Sequence, residues 1–404
     1  MQFFLPRPHI LIAMHDFHPG GTEKIAMTLA GAWIDMGFRV SIAVGSTSGE
    51  TDAHVPAGAT IVALDPPIER SLLSRWRLAR QLADRVAPLR PDIIFLPGNY
   101  HFGLARAFRR QLPNAAIVAK ISNPLIARNG VLLEAVQRFF LRRLVSGIDA
   151  LAAMTPGLMN DAKALLPDML VQSVPDPFLP DSVVPLPPAR RRSTKDMLHL
   201  VCIGRLEPQK RFALAIEVVA AMQPDTKVHL TIVGEGRERP QLERAIARHG
   251  LQERVTLTGY RPDVSTILRD ADLLLICSRY EGGPAVAAEA LVAGVPFVAT
   301  DCSHYLRDLA QIGSFGTLAA DSSVAALVTA IHHQQHQPRP SIAEAAAALS
   351  ANRLSHAAQS YAQLFESLQA GQRRAAVLLS GGIPRAATDQ ASLSANRHSE
   401  DVAA

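Results

Sequence analysis

Cysteine is scarce: the 404-residue chain holds three, Cys202, Cys277 and Cys302. An odd number without metal or redox spacing excludes a disulfide scaffold. Each sits in or beside an apolar run, as a reduced, buried thiol of a cytoplasmic protein does. No stretch reaches the length of a membrane span. The apolar start, Phe3-Phe4-Leu5 and then His9 to Met14, is broken by Pro6, Arg7 and Pro8. It reads as a first strand rather than a signal peptide. There is no G-x-G-x-x-G after that strand, no Ser-His-Asp set, no close carboxylate dyad, and no cluster with metal-ligand spacing. Asp270-Ala271-Asp272 has the D-x-D form. It stands at the start of an apolar strand, the wrong end for a ligand, and reads as a helix-to-strand turn. No metal is expected.

What is present is an α/β composition: 48% hydrophobic residues, 25 Gly and 28 Pro, enough chain for two cored domains. Residues 38–44, 60–64, 91–96, 115–119 and 150–154 read as strands. Helical patterns lie between them, as in a doubly wound parallel sheet. Net charge is +5, with thirteen Lys or Arg against three acids between Ser71 and Val145. Such a basic face suits anionic lipid or anionic glycan. It would also admit nucleic acid, but no nucleic-acid partner is expected. Within it, Val131 to Val145 carries a broad apolar stripe (Leu132, Leu133, Val136, Phe139, Phe140, Leu144) beside Arg138, Arg142 and Arg143. The stripe reads first as core-facing. The other reading is peripheral contact with an anionic membrane, at the inner face of the plasma membrane.

The richest stretch is Ser278 to Cys302. An apolar run, Asp272 to Cys277, leads into Glu281-Gly282-Gly283-Pro284, a helical run Ala285 to Ala293, Gly294, and a second apolar run, Val295 to Ala299. This is strand, glycine turn, helix, strand, with Pro284 placed for a helix start and Gly294 for its end. Glu281 and Glu289 stand eight residues apart, on the order of 10 Å along a helix. That is too far to share a proton but suits two parts of one extended ligand. Free N–H groups at the helix start, at Ala285 and Val286, favour an anion. A nucleoside diphosphate sugar fits: phosphates at the helix start, one Glu near the sugar, the other on ribose hydroxyls. Arg205 and Lys210 leave the end of another strand, Met197 to Gly204, just before a helix. Two cations there can hold a diphosphate and stabilise it as it leaves. Gly20-Gly21, after the first strand, allow close backbone approach to a ligand, or else form a tight turn needing positive φ. Gly234 and Gly236 close a third strand, and Gly259-Tyr260 a fourth. His101 follows the strand ending at Leu96, at the carboxyl end where open α/β sheets bind ligands.

Together these stretches resemble the retaining glycosyltransferases of the GT-B fold, specifically family 4. The resemblance rests on Glu281-x7-Glu289 with its GGP, Gly294-Val-Pro296, Gly204-Arg-Leu-x3-Lys210-Arg and Gly20-Gly-x-Glu23. It runs from Gly20 to about Leu368 and is most specific in the second half. It implies two Rossmann-like doubly wound domains facing across a cleft. Residues 1–178 form the acceptor domain, 179–195 a linker and 196–354 the donor domain. A helix at 355–369 crosses back to the first domain, and 370–404 is expected to be disordered. It implies metal-independent transfer from a UDP- or GDP-sugar, with no other cofactor, to a glycan or lipid-linked acceptor in cell-surface polysaccharide or glycolipid synthesis. The leaving phosphate is expected to act as the base. Arg205, Lys210, Glu281 and His101 would be catalytic, His101 facing the acceptor. Gly20, Gly21, Gly204, Gly234, Gly236, Tyr260, Gly282, Gly283, Pro284, Ala285, Val286 and Glu289 would line the donor. Departures are Gly283 and Val292, where the family favours a bulkier and a smaller residue, and Asp176 for Asn in Val174-Pro-Asp-Pro. Gly283 is expected to leave room beside the sugar. An epimerase or a phosphorylase on the same architecture would share the diphosphate site. The first needs acid–base pairs on both faces of the sugar and the second a Schiff-base lysine in a longer chain. A non-catalytic sugar-nucleotide sensor is the remaining alternative.

Overall fold

A computed structural model describes residues 7–18, 20–49, 55–71, 74–126, 131–182, 197–222, 227–312 and 314–379. The chain folds into two all-parallel sheets. The first holds β1 (His9–Met14), β2 (Arg39–Val44), β3 (Thr60–Ala63), β4 (Ile93–Leu96), β5 (Ala116–Ile121), β6 (Ala150–Ala153) and β7 (Leu170–Ser173), in the order β3-β2-β1-β4-β5-β6-β7. The second holds β8 (Leu198–Ile203), β9 (Val228–Val233), β10 (Val255–Leu257), β11 (Leu273–Ile276), β12 (Phe297–Ala299) and β13 (Gly316–Leu318), in the order β10-β9-β8-β11-β12-β13. Central strands buried on both faces need unbroken apolar runs. That is why β4, β6 and β11, wholly apolar, are buried at every position, as are β1 and β5, apolar but for His9 and Lys120. β7 is a half-exposed edge, short and without such a run, and sequence reading passed over it. Each order reverses beside its first strand, at β1/β4 and β8/β11, which puts the ligand crevice at the carboxyl ends there.

Helices cover both faces of the first sheet. On one side lie α2 (Ser74–Val86), α3 (Ala105–Gln111), α4 (Val131–Val145) and α5 (Pro156–Leu165). On the other lie α1 (Gly21–Asp35) and the last described helix, Leu354–Leu379, while α6 (Phe212–Ala221), α7 (Arg239–Arg248) and α8 (Ser265–Asp270) belong to the second domain. That last helix runs ten residues past the expected Gln369 boundary; the rest of the anticipated tail, 380–404, lies outside the described residues. Its Tyr361 and Phe365 pack edge-on against Trp33 of α1, and Trp33 Nε1 donates to Ala358 O at 3.2 Å. The 26-residue helix thus packs its first half on the first domain.

The start of the expected linker is fixed in place. Leu179, its first residue, is buried and pairs with Arg353 as an isolated parallel bridge. Leu179 N donates to Asn352 O at 3.0 Å, and Leu354 N to Leu179 O at 3.0 Å. The remainder of the anticipated linker, 183–196, lies outside the described residues. Asp176, in place of the family's Asn, is fully buried with its carboxylate 2.8 Å from Lys120 Nζ on β5. Burial pushes the Asp176 carboxyl up and Lys120 draws it back down. The extra charge of the substitution is thus matched by a cation from the neighbouring strand.

Candidate active site

The conspicuous residues of the second half gather at the carboxyl ends of β8, β9, β11 and β12. Lys210 Nζ donates to Glu281 Oε1 at 2.6 Å, and Ser278 Oγ donates to the same oxygen at 2.6 Å. Glu281 N donates to Cys302 O at 2.8 Å. The turn around Glu281 is fixed from several sides. Gln209 Nε2 donates to Tyr280 O, Thr300 Oγ1 to Ser278 O and Ser303 Oγ to Gly282 O, at 2.7–2.8 Å. Glu281 is 9% exposed, so its carboxylate, with Lys210, is a preset charged pair rather than a mobile surface acid. Arg205 is exposed at the mouth, without a carboxylate partner among the described residues. Sequence reading set Lys210 beside Arg205 as a diphosphate clamp. In the fold Lys210 also pairs with Glu281, and Arg205 stands exposed beside it. Ser278 and Thr300, which orient the turn, lie within the stretch that carries the resemblance but had no role assigned, and Ser303, a loop hydroxyl outside any spacing, was not singled out.

Behind the turn, α9 (Ala285–Val292) follows Pro284, which occupies the N-cap one residue before the expected start. As the first N–H groups of the helix, those of Ala285 and Val286 have no intrahelical acceptor. About one turn on, Glu289 is half-buried, and this burial raises its carboxyl while Lys24 of α1 opposes the rise. Lys24 belongs to the other sheet's domain, so Glu289 faces across the cleft. The thiols of Cys277 and Cys302 are each pushed up to about 12, chiefly by burial, which keeps them protonated and inert.

The glycines separate by what they do. Gly234 has φ +140, and a Cβ there would lie 1.9 Å from Gly204 O. Gly236, at φ +157, would meet Leu206 O at 2.5 Å. Leu206 N donates to Glu235 O at 2.8 Å. The two loops interlock, so these glycines serve loop packing that brings Arg205 and Lys210 to the cleft. Tyr260 is 64% exposed beyond β10. Gly20 caps α1 with extended backbone, φ −159, and Gly21 is helical, so the positive-φ turn considered for this pair is absent. Gly20 is small because a Cβ would meet Glu23 Oε2 at 2.4 Å.

Gly282 and Gly283 join the domains. A Cβ on Gly282 would fall 2.1 Å from Ser122 O, just past β5. On Gly283 it would lie 2.5 Å from Met154 Sδ and 2.9 Å from Phe178 Cζ. The room expected beside the sugar at Gly283 is therefore filled by Met154 and Phe178 of the first domain. Gly283→Leu is expected to displace both, an overpacking cost of about 1–3 kcal/mol, and to lower kcat/KM by roughly ten-fold or more. Adding Met154→Ala should restore part of the loss. Steady-state kinetics on the two variants checks this, and an unchanged kcat/KM in Gly283→Leu would show the contact to be dispensable.

Across the cleft, His101 lies in a 3-10 segment, Asn99–Leu104, and is 2% exposed with both ring nitrogens unpartnered. Burial first, then Arg70 and His15, lower its pKa to about 3, so it is neutral at pH 7. Tyr100 covers it edge-on at 5.5 Å, with the Arg70 and Arg75 guanidinium carbons 5.3 and 4.7 Å from the Tyr100 ring centroid. Arg70 is held by Asp16 at 2.5 Å and Glu23 at 3.0 Å. Asp16, Arg70 and Tyr100 were missed because strand ends bring them together from separate stretches. Asp272 of the D-x-D accepts from His199 N at 2.9 Å and Arg339 at 2.5 Å. It ties strand starts together, away from the cleft. Among the described residues no group of three His, Cys, Asp or Glu could hold a metal ion.

Two parallel sheets, the Gly282-Gly283 turn of the second packed on Ser122, Met154 and Phe178 of the first, are the arrangement of a GT-B protein. Residues 20–170 match the glycosyl transferase 4-like domain, and residues 198–335 match glycosyl transferases group 1. The chain belongs to the GT-B glycosyltransferases of the family 4 type. It is similar to 2-deoxystreptamine glucosyltransferase of Streptomyces kanamyceticus, 27% identical over 56% of this chain and 59% of that protein. It is similar also to the lipopolysaccharide core biosynthesis mannosyltransferase LpsB of Rhizobium meliloti, 30% identical over 40% of this chain and 46% of that one. The aligned parts thus span about three-fifths and under half of these relatives. Among solved structures, Anabaena HepE in complex with UDP and glucose superposes with a TM-score of 0.70 at 18% identity, over 89% of this chain and all of that one. That likeness carries the fold.

Proposed function

We propose that the protein transfers a sugar, with retention, from a UDP- or GDP-sugar to a glycan or lipid-linked acceptor on the cytoplasmic side, without a metal or further cofactor. The observation that carries this reading is the Lys210–Glu281–Ser278 cluster set at the start of α9 with Arg205 outside it. The α9 N–H groups and Arg205 receive the diphosphate, and Lys210 balances the charge that grows on the leaving oxygen. Glu281 stabilises positive charge developing at the sugar's anomeric carbon. The bond from that carbon to the phosphate oxygen breaks, the acceptor oxygen attacks from the same face, and its proton passes to the leaving phosphate. His101, neutral in the closed pocket, orients the acceptor once Tyr100 moves aside. Relatives named for lipopolysaccharide core synthesis favour a cell-surface glycan product.

Incubation with radiolabelled UDP- and GDP-sugars tests this, with mass spectrometry naming any nucleotide retained on the purified protein. Turnover is expected and is expected to survive EDTA. Loss with EDTA and recovery with manganese or magnesium would overturn the metal-free reading.

A further inference from the structure

The part of the α4 stripe from Val136 to Leu144 does not face the core. Leu141 and Val145 are buried, whereas Val136, Phe139 and Phe140 are 47%, 67% and 62% exposed. Leu144, 39% exposed, continues the line, since spacings of three, four and eight put these residues on one helical face. Phe139 and Phe140 pack edge to face in the open, with ring centroids 5.7 Å apart. On α2, Trp76 is 80% exposed. Both helices pack on the Asn99–Leu104 segment and lie over the same face of the first sheet. Arg75, Arg77 and Arg80 of α2, and Arg138, Arg142 and Arg143 of α4, stand against Asp84 and Glu134. None of the six arginines joins an ion pair among the described residues.

An aromatic patch left in water has a reason other than stability. Here it is convex, a helix ridge rather than a groove, and rimmed by cations. Aromatic rings at headgroup depth with arginines around them match an anionic bilayer surface. We propose that the first domain docks on anionic phospholipid through Trp76, Val136, Phe139, Phe140 and Leu144, with the six arginines on headgroups. Docking goes beyond the transfer reaction and does not depend on it. Only its consequence does: the His101 segment lies between the two helices, so the acceptor end of the cleft is brought to the bilayer, where a lipid-linked acceptor resides.

The chain has two tryptophans, and Trp33 is fully buried, so Trp76 reports alone. With the full chain, vesicles of phosphatidylcholine plus phosphatidylglycerol are expected to shift tryptophan emission to the blue. Lipids brominated in the acyl chain should quench it, and phosphatidylcholine alone should do neither. Phe139→Ser with Phe140→Ser should lower the partition roughly 100-fold, and Arg142→Gln with Arg143→Gln roughly 25-fold. UDP affinity and Tm should stay unchanged, because these side chains are exposed. No blue shift, or equal binding to neutral vesicles, would overturn the proposal. So would a vesicle-free dimer that the Phe variant dissolves, since the patch would then be a self-association face. Vesicle binding lost while sugar-nucleotide turnover persists sinks docking alone; vesicle binding kept without turnover supports docking and sinks the transfer reading alone.

Discussion

Lys210→Ala is expected to lower kcat by about 10²–10³-fold, the scale of one preorganised electrostatic contact to developing charge. Two losses combine. The leaving diphosphate forfeits a cation, and Glu281, 9% exposed, is left with Ser278 as its remaining side-chain donor. A carboxylate deprived of its cation in such a place is strongly disfavoured, so the variant should also disturb Glu281 itself. Arg205→Ala should fall by about 10²-fold, without that second loss, because Arg205 stands exposed and unpaired. A double-mutant cycle separates the contributions. If Lys210 and Glu281 act as one unit, Lys210→Ala combined with Glu281→Gln should cost little more than the worse single change. Near-wild-type turnover in both Lys210→Ala and Arg205→Ala would remove the diphosphate from this end of the sheet. Tm and circular dichroism on each variant keep a folding defect from passing as a catalytic one.

Why the pairing at the centre of this test was not legible is instructive. Each half of the Lys210–Glu281 contact stood out in its own stretch, Lys210 after one strand and Glu281 after another. They are 71 residues apart, and only the adjacency of β8 and β11 in the sheet brings them together. The alternation of strands and helices was readable because buried parallel strands must be unbroken apolar runs. β7, a half-exposed edge, escaped for the same reason. Helical periodicity in α4 revealed a stripe but not what covers it. Val136, Phe139, Phe140 and Leu144 of the stripe turn out, and it is Leu141 and Val145, beside the stripe, that turn in. Gly283 shows the same limit at a single position. A missing side chain was legible, but not that Met154 and Phe178 fill its place.

The two glutamates of α9 and its turn decide which way the donor lies. Glu289 is about one turn into the helix, half-buried and opposed by Lys24 of α1. It is expected to accept hydrogen bonds from ribose hydroxyls, so Glu289→Gln should weaken UDP or GDP binding by about 1.5–3 kcal/mol, the worth of bonds to a charged group. Because burial raises its carboxyl, protonation begins at a higher pH than for an ordinary glutamate. Only the ionised form is a pure acceptor, so wild-type nucleotide affinity should decline as pH falls through that raised value. Glu289→Gln should lose this dependence. Glu281 sits in the turn, nearer the reacting carbon. Glu281→Gln should lower kcat more than it lowers affinity for the bare diphosphate, since its interaction strengthens as positive charge develops on the sugar. Calorimetric titration of both variants with UDP and GDP across pH, followed by turnover, separates the roles. If Glu281→Gln abolishes diphosphate binding while Glu289→Gln binds normally and cannot turn over, the donor runs along α9 in the opposite direction, with its sugar over Glu289.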